Sequence, residues 1–256
     1  LYFKPTYNNY GLHYYGWEKI INDFILKYKN IGIKCNLDKK TFFDEWLEKL
    51  LLWGNKKVNQ KFIDYIFDND LKLISFIHNP NLSFHNNKIP NGLILSDEYQ
   101  LNKNLFEKIK EYKLIDRIQY LYCMSISHKQ SLTCTYPEFK NKIVSVYHPI
   151  KTEKDISFNY SNFLKSRKII HIGWWLRNFN SFINLRSPPS FKKKIIKKND
   201  FKKDFFNYIK LPNNSPIEMK FELNSFDYQN LFRESIVFAD IIDGVANNTI
   251  LECISF

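Results

Sequence analysis

Asp240-Ile241-Ile242-Asp243-Gly244-Val245-Ala246-Asn247-Asn248-Thr249-Ile250-Leu251-Glu252-Cys253 runs from one apolar stretch through small residues into another. A buried strand is expected to end here in a turn. A helix then opens around Asn247 or Asn248, both good N-caps because the side-chain oxygen accepts from free backbone N–H groups. In an open α/β sheet this turn lies at the carboxyl edge of the strands, where the helix's free N–H groups and positive end suit a phosphate. Glu252, about one turn inside the helix, is near enough to accept from ribose hydroxyls. The same pattern also describes an ordinary capped helix with a surface glutamate, and spacing alone leaves both readings open.

Upstream, short apolar runs alternate with longer amphipathic ones, which predicts an α/β fold with a largely parallel sheet. The expected strands are Leu71 to Ile77, Ile118 to Met124, Ile143 to Tyr147, Lys168 to Ile172, Lys194 to Lys197, Ile217 to Glu222 and Ser235 to Ile241. Apolar residues at helical spacing predict helices over Glu18 to Tyr28, Thr41 to Trp53, Asn102 to Glu111, Ser127 to Thr135 and Phe226 to Glu234, with Ser181 to Leu185 a short extension of another. The polar stretch from His148 to Asn162 has no apolar period of its own, so the domain boundary is placed at about residue 155, giving domains over 1–155 and 156–256. Ser187-Pro188-Pro189-Ser190 is a loop, since two prolines forbid a continuing helix or central strand.

The 256 residues include 44% hydrophobic side chains, enough to build a core in one large domain or two smaller ones. A net charge of +12 suits phosphate-bearing partners. The lysines are scattered except at Lys192 to Lys203, however, so nucleic acid is not the expected partner. Cys35, Cys123, Cys134 and Cys253 form no CxxC pair and have no histidine at zinc-ligand spacing. Neither a metal nor a disulfide framework is expected, and a reducing, cytoplasmic setting fits best. No apolar run approaches the ~20 residues of a membrane-spanning helix, which leaves at most peripheral membrane contact. The chain starts at Leu1 rather than Met and stops soon after an apolar helical run opens, so it reads as a fragment cut at both ends.

Three segments carry a resemblance. Ala246-Asn247-Asn248-Thr249-Ile250-Leu251-Glu252-Cys253-Ile254 resembles the start of the donor-site helix of GT-B glycosyltransferases, in particular a group encoded in giant viruses and some microbes. Phe76-Ile77-His78-Asn79-Pro80 resembles a segment of that group's N-terminal domain, and Ile169-Ile170-His171-Ile172-Gly173-Trp174-Trp175-Leu176-Arg177 resembles the first strand and turn of its C-terminal domain. The resemblance implies two Rossmann-like domains facing a cleft, with the C-terminal domain truncated here. It implies a metal-independent transferase with no permanently bound cofactor. A nucleotide sugar would serve as co-substrate and a glycan, lipid or protein hydroxyl as acceptor. It assigns Glu252 to the donor ribose, Asn247, Asn248 and Thr249 to the diphosphate, and Gly173 and Arg177 to the same donor site. One departure stands out. Many retaining GT-B enzymes carry an acidic residue eight positions before the ribose-binding one, and that position is Gly244, with Asp243 one residue off. A non-catalytic nucleotide- or sugar-binding relative is therefore the alternative.

Arg177 has its own rationale, since a guanidinium is a planar fork of donors that matches phosphate oxygens, although a solvated loop arginine has the same sequence signature. Trp174 and Trp175 follow a strand directly and suit stacking on a base or sugar, or packing in a core. His78 follows an apolar strand and is the candidate catalytic residue, either as general base on an acceptor hydroxyl or as its orienting group. His128 and His148 are weaker candidates. Ser125 and Ser127 either line the acceptor side or cap the next helix. Asp68-Asn69-Asp70 precedes a strand instead of following one, so a solvated turn is expected there rather than a metal motif.

Overall fold

The structure is a computed structural model and describes residues 2–3, 41–44, 47–53, 56–79, 101–146, 157–173, 177–197, 216–221, 223–241 and 248–255. The chain divides into two compact units, one of Leu1–Lys88 and Leu95–Pro149, the other of Ile89–Ile94 and Ile150–Phe256. Each is built on a parallel sheet.

In the first unit the strands are β1 (Tyr2–Phe3), β2 (Thr41–Asp44), β3 (Lys72–Ile77), β4 (Ile118–Cys123) and β5 (Ile143–Ser145), paired in that order. Parallel neighbours need long crossovers. Helix α1 (Lys56–Asp68) lies between β2 and β3, α2 (Leu101–Glu111) between β3 and β4, and α3 (Ile126–Thr135) between β4 and β5. β3 shows why a central parallel strand reads as a continuous apolar run. Leu73 and Ile77 pack in a core with Ile63 and Ile66 of α1, Leu105, Phe106 and Ile109 of α2 and Leu132 of α3. The alternate residues Ile74 and Phe76 are buried as well, and Phe76 packs on Tyr122 with ring centroids 5.3 Å apart.

The helix expected over Thr41 to Trp53 is corrected by the structure. Thr41–Asp44 is a strand in register with Lys72, Leu73, Ile74 and Ser75, and the helical part is a π-helical turn at Lys49–Trp53. A β-branched residue followed by two aromatics suits a pleated strand, and the ladder to β3 decides against the helical spacing. Helix α1 is absent from the expectations, although Phe62, Ile63, Ile66 and Phe67 carry the helical spacing and all four are buried or half-buried in the core. The helix expected over Glu18 to Tyr28 lies outside the described residues. Asp68 ends α1 and Asn69-Asp70 form an exposed turn, with Asp70 in left-handed backbone at φ 52° and ion-paired to Arg117.

In the second unit the order is β8-β7-β6-β9, from β6 (Lys168–Ile172), β7 (Lys192–Lys197), β8 (Glu218–Phe221) and β9 (Ser235–Val237). Counted along this unit the order is 3-2-1-4, that of a Rossmann half, with the strand order reversing between β6 and β9. Apolar clusters cover both faces. Ile169 and Ile195 pack with Phe179 and Phe182 of α5 (Phe179–Asn184), while Ile170, Ile172 and Ile196 pack with Leu231 and Phe232 of α6 (Ser225–Arg233). Helix α4 (Tyr160–Ser166) opens inside the stretch read as polar connection, capped by Asn159, whose side chain accepts from Asn162 N at 3.0 Å. The final helix, α7, spans Asn248–Ser255.

Candidate functional site

Two groups of side chains gather at carboxyl strand ends, one in each unit. In the second unit, β6 ends at Ile172 and the chain turns at Gly173, whose φ of 77° lies in the left-handed region that only glycine enters without strain. The glycine is needed for backbone shape, and a Cβ there would push the tip of the Arg177 side chain out of its place. Arg177 forms an antiparallel bridge with Ile241, just after β9. Asn178 N donates to Asp240 O at 2.9 Å, and Asn178 Nδ2 to Asp240 Oδ2 at 3.1 Å. The segments that follow β6 and β9 are thus laced together at the point where strand order reverses, the crevice in which open α/β sheets bind ligands.

Arg177 Nη2 donates to Thr249 Oγ1 at 3.0 Å, and Thr249 is buried in the first turn of α7. Gly173, Arg177 and Thr249, far apart in sequence, are therefore neighbours. A guanidinium held at a helix N-terminus combines a full positive charge with free backbone N–H groups, a combination that suits a phosphate or diphosphate. Asn248 is the first residue of α7 and Glu252 lies one turn in, as expected. Asn247, Trp174, Trp175, Asp243 and Gly244 lie outside the described residues.

His171 lies beneath this edge, fully buried between the rings of Phe179 and Phe182 at 4.5 and 5.4 Å. Burial pushes its imidazole down to about 4, and the positive Arg177 adds to this, while the Phe238 backbone and Asp240 pull the other way. It is an uncharged packing residue at neutral pH. The lysine run is partly used inside the fold: Lys193 Nζ donates to the carbonyls of Phe182 (3.3 Å) and Ile183 (2.9 Å) at the end of α5, and Lys194 pairs with Glu218 at 3.1 Å.

In the first unit the carboxyl ends of β3 and β4 bring together Glu48, His78, Asn79 and His128. Glu48, just ahead of the π-helical turn, is fully buried, and its Oε1 accepts from the backbone N–H groups of His78 (2.7 Å) and Asn79 (2.8 Å). Glu48 Oε2 lies 3.8 Å from His78 Nδ1, and the His78 side chain is 14% exposed. Helix α3 starts after β4 with Ser125 as N-cap, accepting from His128 N at 3.0 Å. Ser125 thus caps a helix, with its Oγ 3.3 Å from Ser127 Oγ. His128 is buried, which holds its imidazole down to about 3; the Asn79 backbone opposes this and neighbouring His78 reinforces it. His148 lies outside the described residues. Glu48 was not legible beforehand, because Leu47-Glu48-Lys49-Leu50 reads as any amphipathic turn. π-helical turns often mark functional sites, but nothing in the sequence announces one.

Among the described residues no three His, Cys, Asp or Glu side chains converge as metal ligands. No described helix is long and apolar enough to cross a membrane. No protein-family model matches the sequence, and no curated protein matches it at a significant level.

Proposed function

We propose that this chain is a glycosyltransferase of the GT-B type, moving a sugar from a nucleotide-sugar donor to a hydroxyl acceptor. The observation that carries the reading is the Arg177 guanidinium resting over Gly173 and bonded to Thr249 at the start of α7, at the reversal point of a 3-2-1-4 sheet. In this reading the second unit holds the donor. Arg177 and the free N–H groups of α7 neutralise the diphosphate as its charge develops, and Glu252 binds the ribose. The first unit takes a glycan, lipid or protein acceptor, with His78 as base or orienting group for the hydroxyl. GT-B enzymes generally work without a bound metal, closing their domains to exclude water.

Titration calorimetry with UDP and GDP tests the donor site. One of the two should bind, and Arg177→Ala and Glu252→Ala should each weaken it by about ten-fold or more, the scale of a lost charged hydrogen bond. A folded protein that binds neither nucleotide would remove the reading. Gly244, where retaining enzymes often carry an acid, favours a second one: a nucleotide-binding relative without transfer. Binding with no donor turnover against an acceptor screen would select it.

A further inference from the structure

We propose that Glu48 is a positioning residue that fixes the tautomer of His78, keeping the proton on Nδ1 and leaving the lone pair on Nε2. Glu48 is fully buried, where a carboxylate is rare unless it is paired or hydrogen-bonded. One oxygen is used twice: Oε1 accepts from His78 N and Asn79 N, and so fixes the backbone at the end of β3. The other, Oε2, accepts no hydrogen bond, and an orphaned buried acceptor costs about 1–3 kcal/mol. His78 Nδ1 stands 3.8 Å from it, beyond hydrogen-bond length but within reach of a small ring rotation. Hydrogen bonds at catalytic histidines are often long before substrate binds and tighten with it.

A carboxylate can only accept, so the contact is favourable only if Nδ1 carries the hydrogen. A neutral imidazole has one such hydrogen, and Nε2 is then the acceptor. His128, buried at the same strand edge, stays uncharged near neutrality and so brings no positive charge to the group. The consequence for chemistry rests on the glycosyl-transfer reading. Nε2 would then be the atom left to accept a hydrogen bond from the acceptor hydroxyl.

Glu48→Gln separates this role from a structural one. The amide oxygen still has to accept from His78 N and Asn79 N, so the amide NH2 takes the place of Oε2. It would then donate to Nδ1 and move the imidazole hydrogen to Nε2. Nitrogen-15 NMR of the histidine side chains, at a pH of about 8 where imidazoles are neutral, reads the tautomer directly. His78 is expected as Nδ1–H in the native protein and as Nε2–H in Glu48→Gln, with the His128 signals unmoved as a check on the fold. An Nε2–H tautomer in the native protein overturns the proposal without any variant, and so does a His78 pattern unchanged by Glu48→Gln. The measurement needs neither donor nor acceptor. Its failure removes the role of Glu48 alone, whereas failure of nucleotide binding removes the transferase reading alone.

Discussion

Arg177 Nη2 donates to Thr249 Oγ1 over 3.0 Å, joining the turn after the first strand of the second unit to a helix 72 residues later. Thr249→Val keeps the side-chain volume but removes the acceptor that holds the guanidinium. Nucleoside diphosphate affinity should fall by about five-fold, the equivalent of one ordinary hydrogen bond of ~1 kcal/mol. Arg177→Lys keeps the charge but loses the planar fork, and should fall further. Calorimetric titration of both variants with the nucleotide that binds the native protein checks the ranking.

Gly173→Ala should cost stability through its backbone and should also shift Arg177. The backbone at φ 77° disfavours any Cβ, and that Cβ would occupy the space of the Arg177 guanidinium. Backbone strain of this kind costs about 1–3 kcal/mol, and displacement of Arg177 should remove nucleotide binding as well. Urea unfolding with calorimetry on the same sample reads both effects. Loss of stability with binding retained would mean that Arg177 does not contact the ligand.

Stability should fall as the solution is acidified below the ordinary histidine range. His171 and His128 are held to about 4 and about 3 in the folded chain, below the ~6.5 of an unfolded histidine. Above pH ~6.5 both states are neutral and neither residue contributes a pH dependence. As pH drops, the unfolded chain takes up protons first. Stability is lost down to about 4 for His171 and about 3 for His128, on the order of a few kcal/mol for each. Urea midpoints between pH 5 and 7.5 should show the decline, and His171→Leu should flatten it whatever its effect at pH 7.5. An equally steep decline in that variant would assign the effect to other groups.

Glu48→Ala strips the acceptor from two backbone N–H groups at once. Each buried donor left without a partner costs about 1–3 kcal/mol, so this variant should be far less stable than Glu48→Gln. Thermal or urea denaturation of the pair gives the comparison. Equal losses would show that the charge, rather than the accepting oxygen, holds the end of β3.

Much of the frame was legible because it is written in local pattern. The seven expected strands all coincide with observed strands, their ends moved by a few residues, because β-branched and aromatic runs bounded by polar residues suit buried parallel strands. Lys168–Ile172 is read correctly from such a run. Thr41–Asp44 is not, because its strand character comes from a partner found only in the fold. Helix α1 was missed despite its spacing, and α4 was hidden by the polarity of its first turn.

By itself the sequence determined an α/β chain with parallel strands, a helix opening at Asn248, and a glycine and an arginine just after a strand. Those are properties of neighbours in the chain, set by backbone geometry and by the period of apolar side chains. Only the tertiary structure decided that Arg177 meets Thr249 and lies over Gly173, and that a buried Glu48 holds the backbone of His78 and Asn79. Strand order and crossovers place those contacts, and they depend on which distant segments pair. No local pattern records that choice, because the free energy that makes it comes from packing and hydrogen bonding between parts of the chain far apart in sequence.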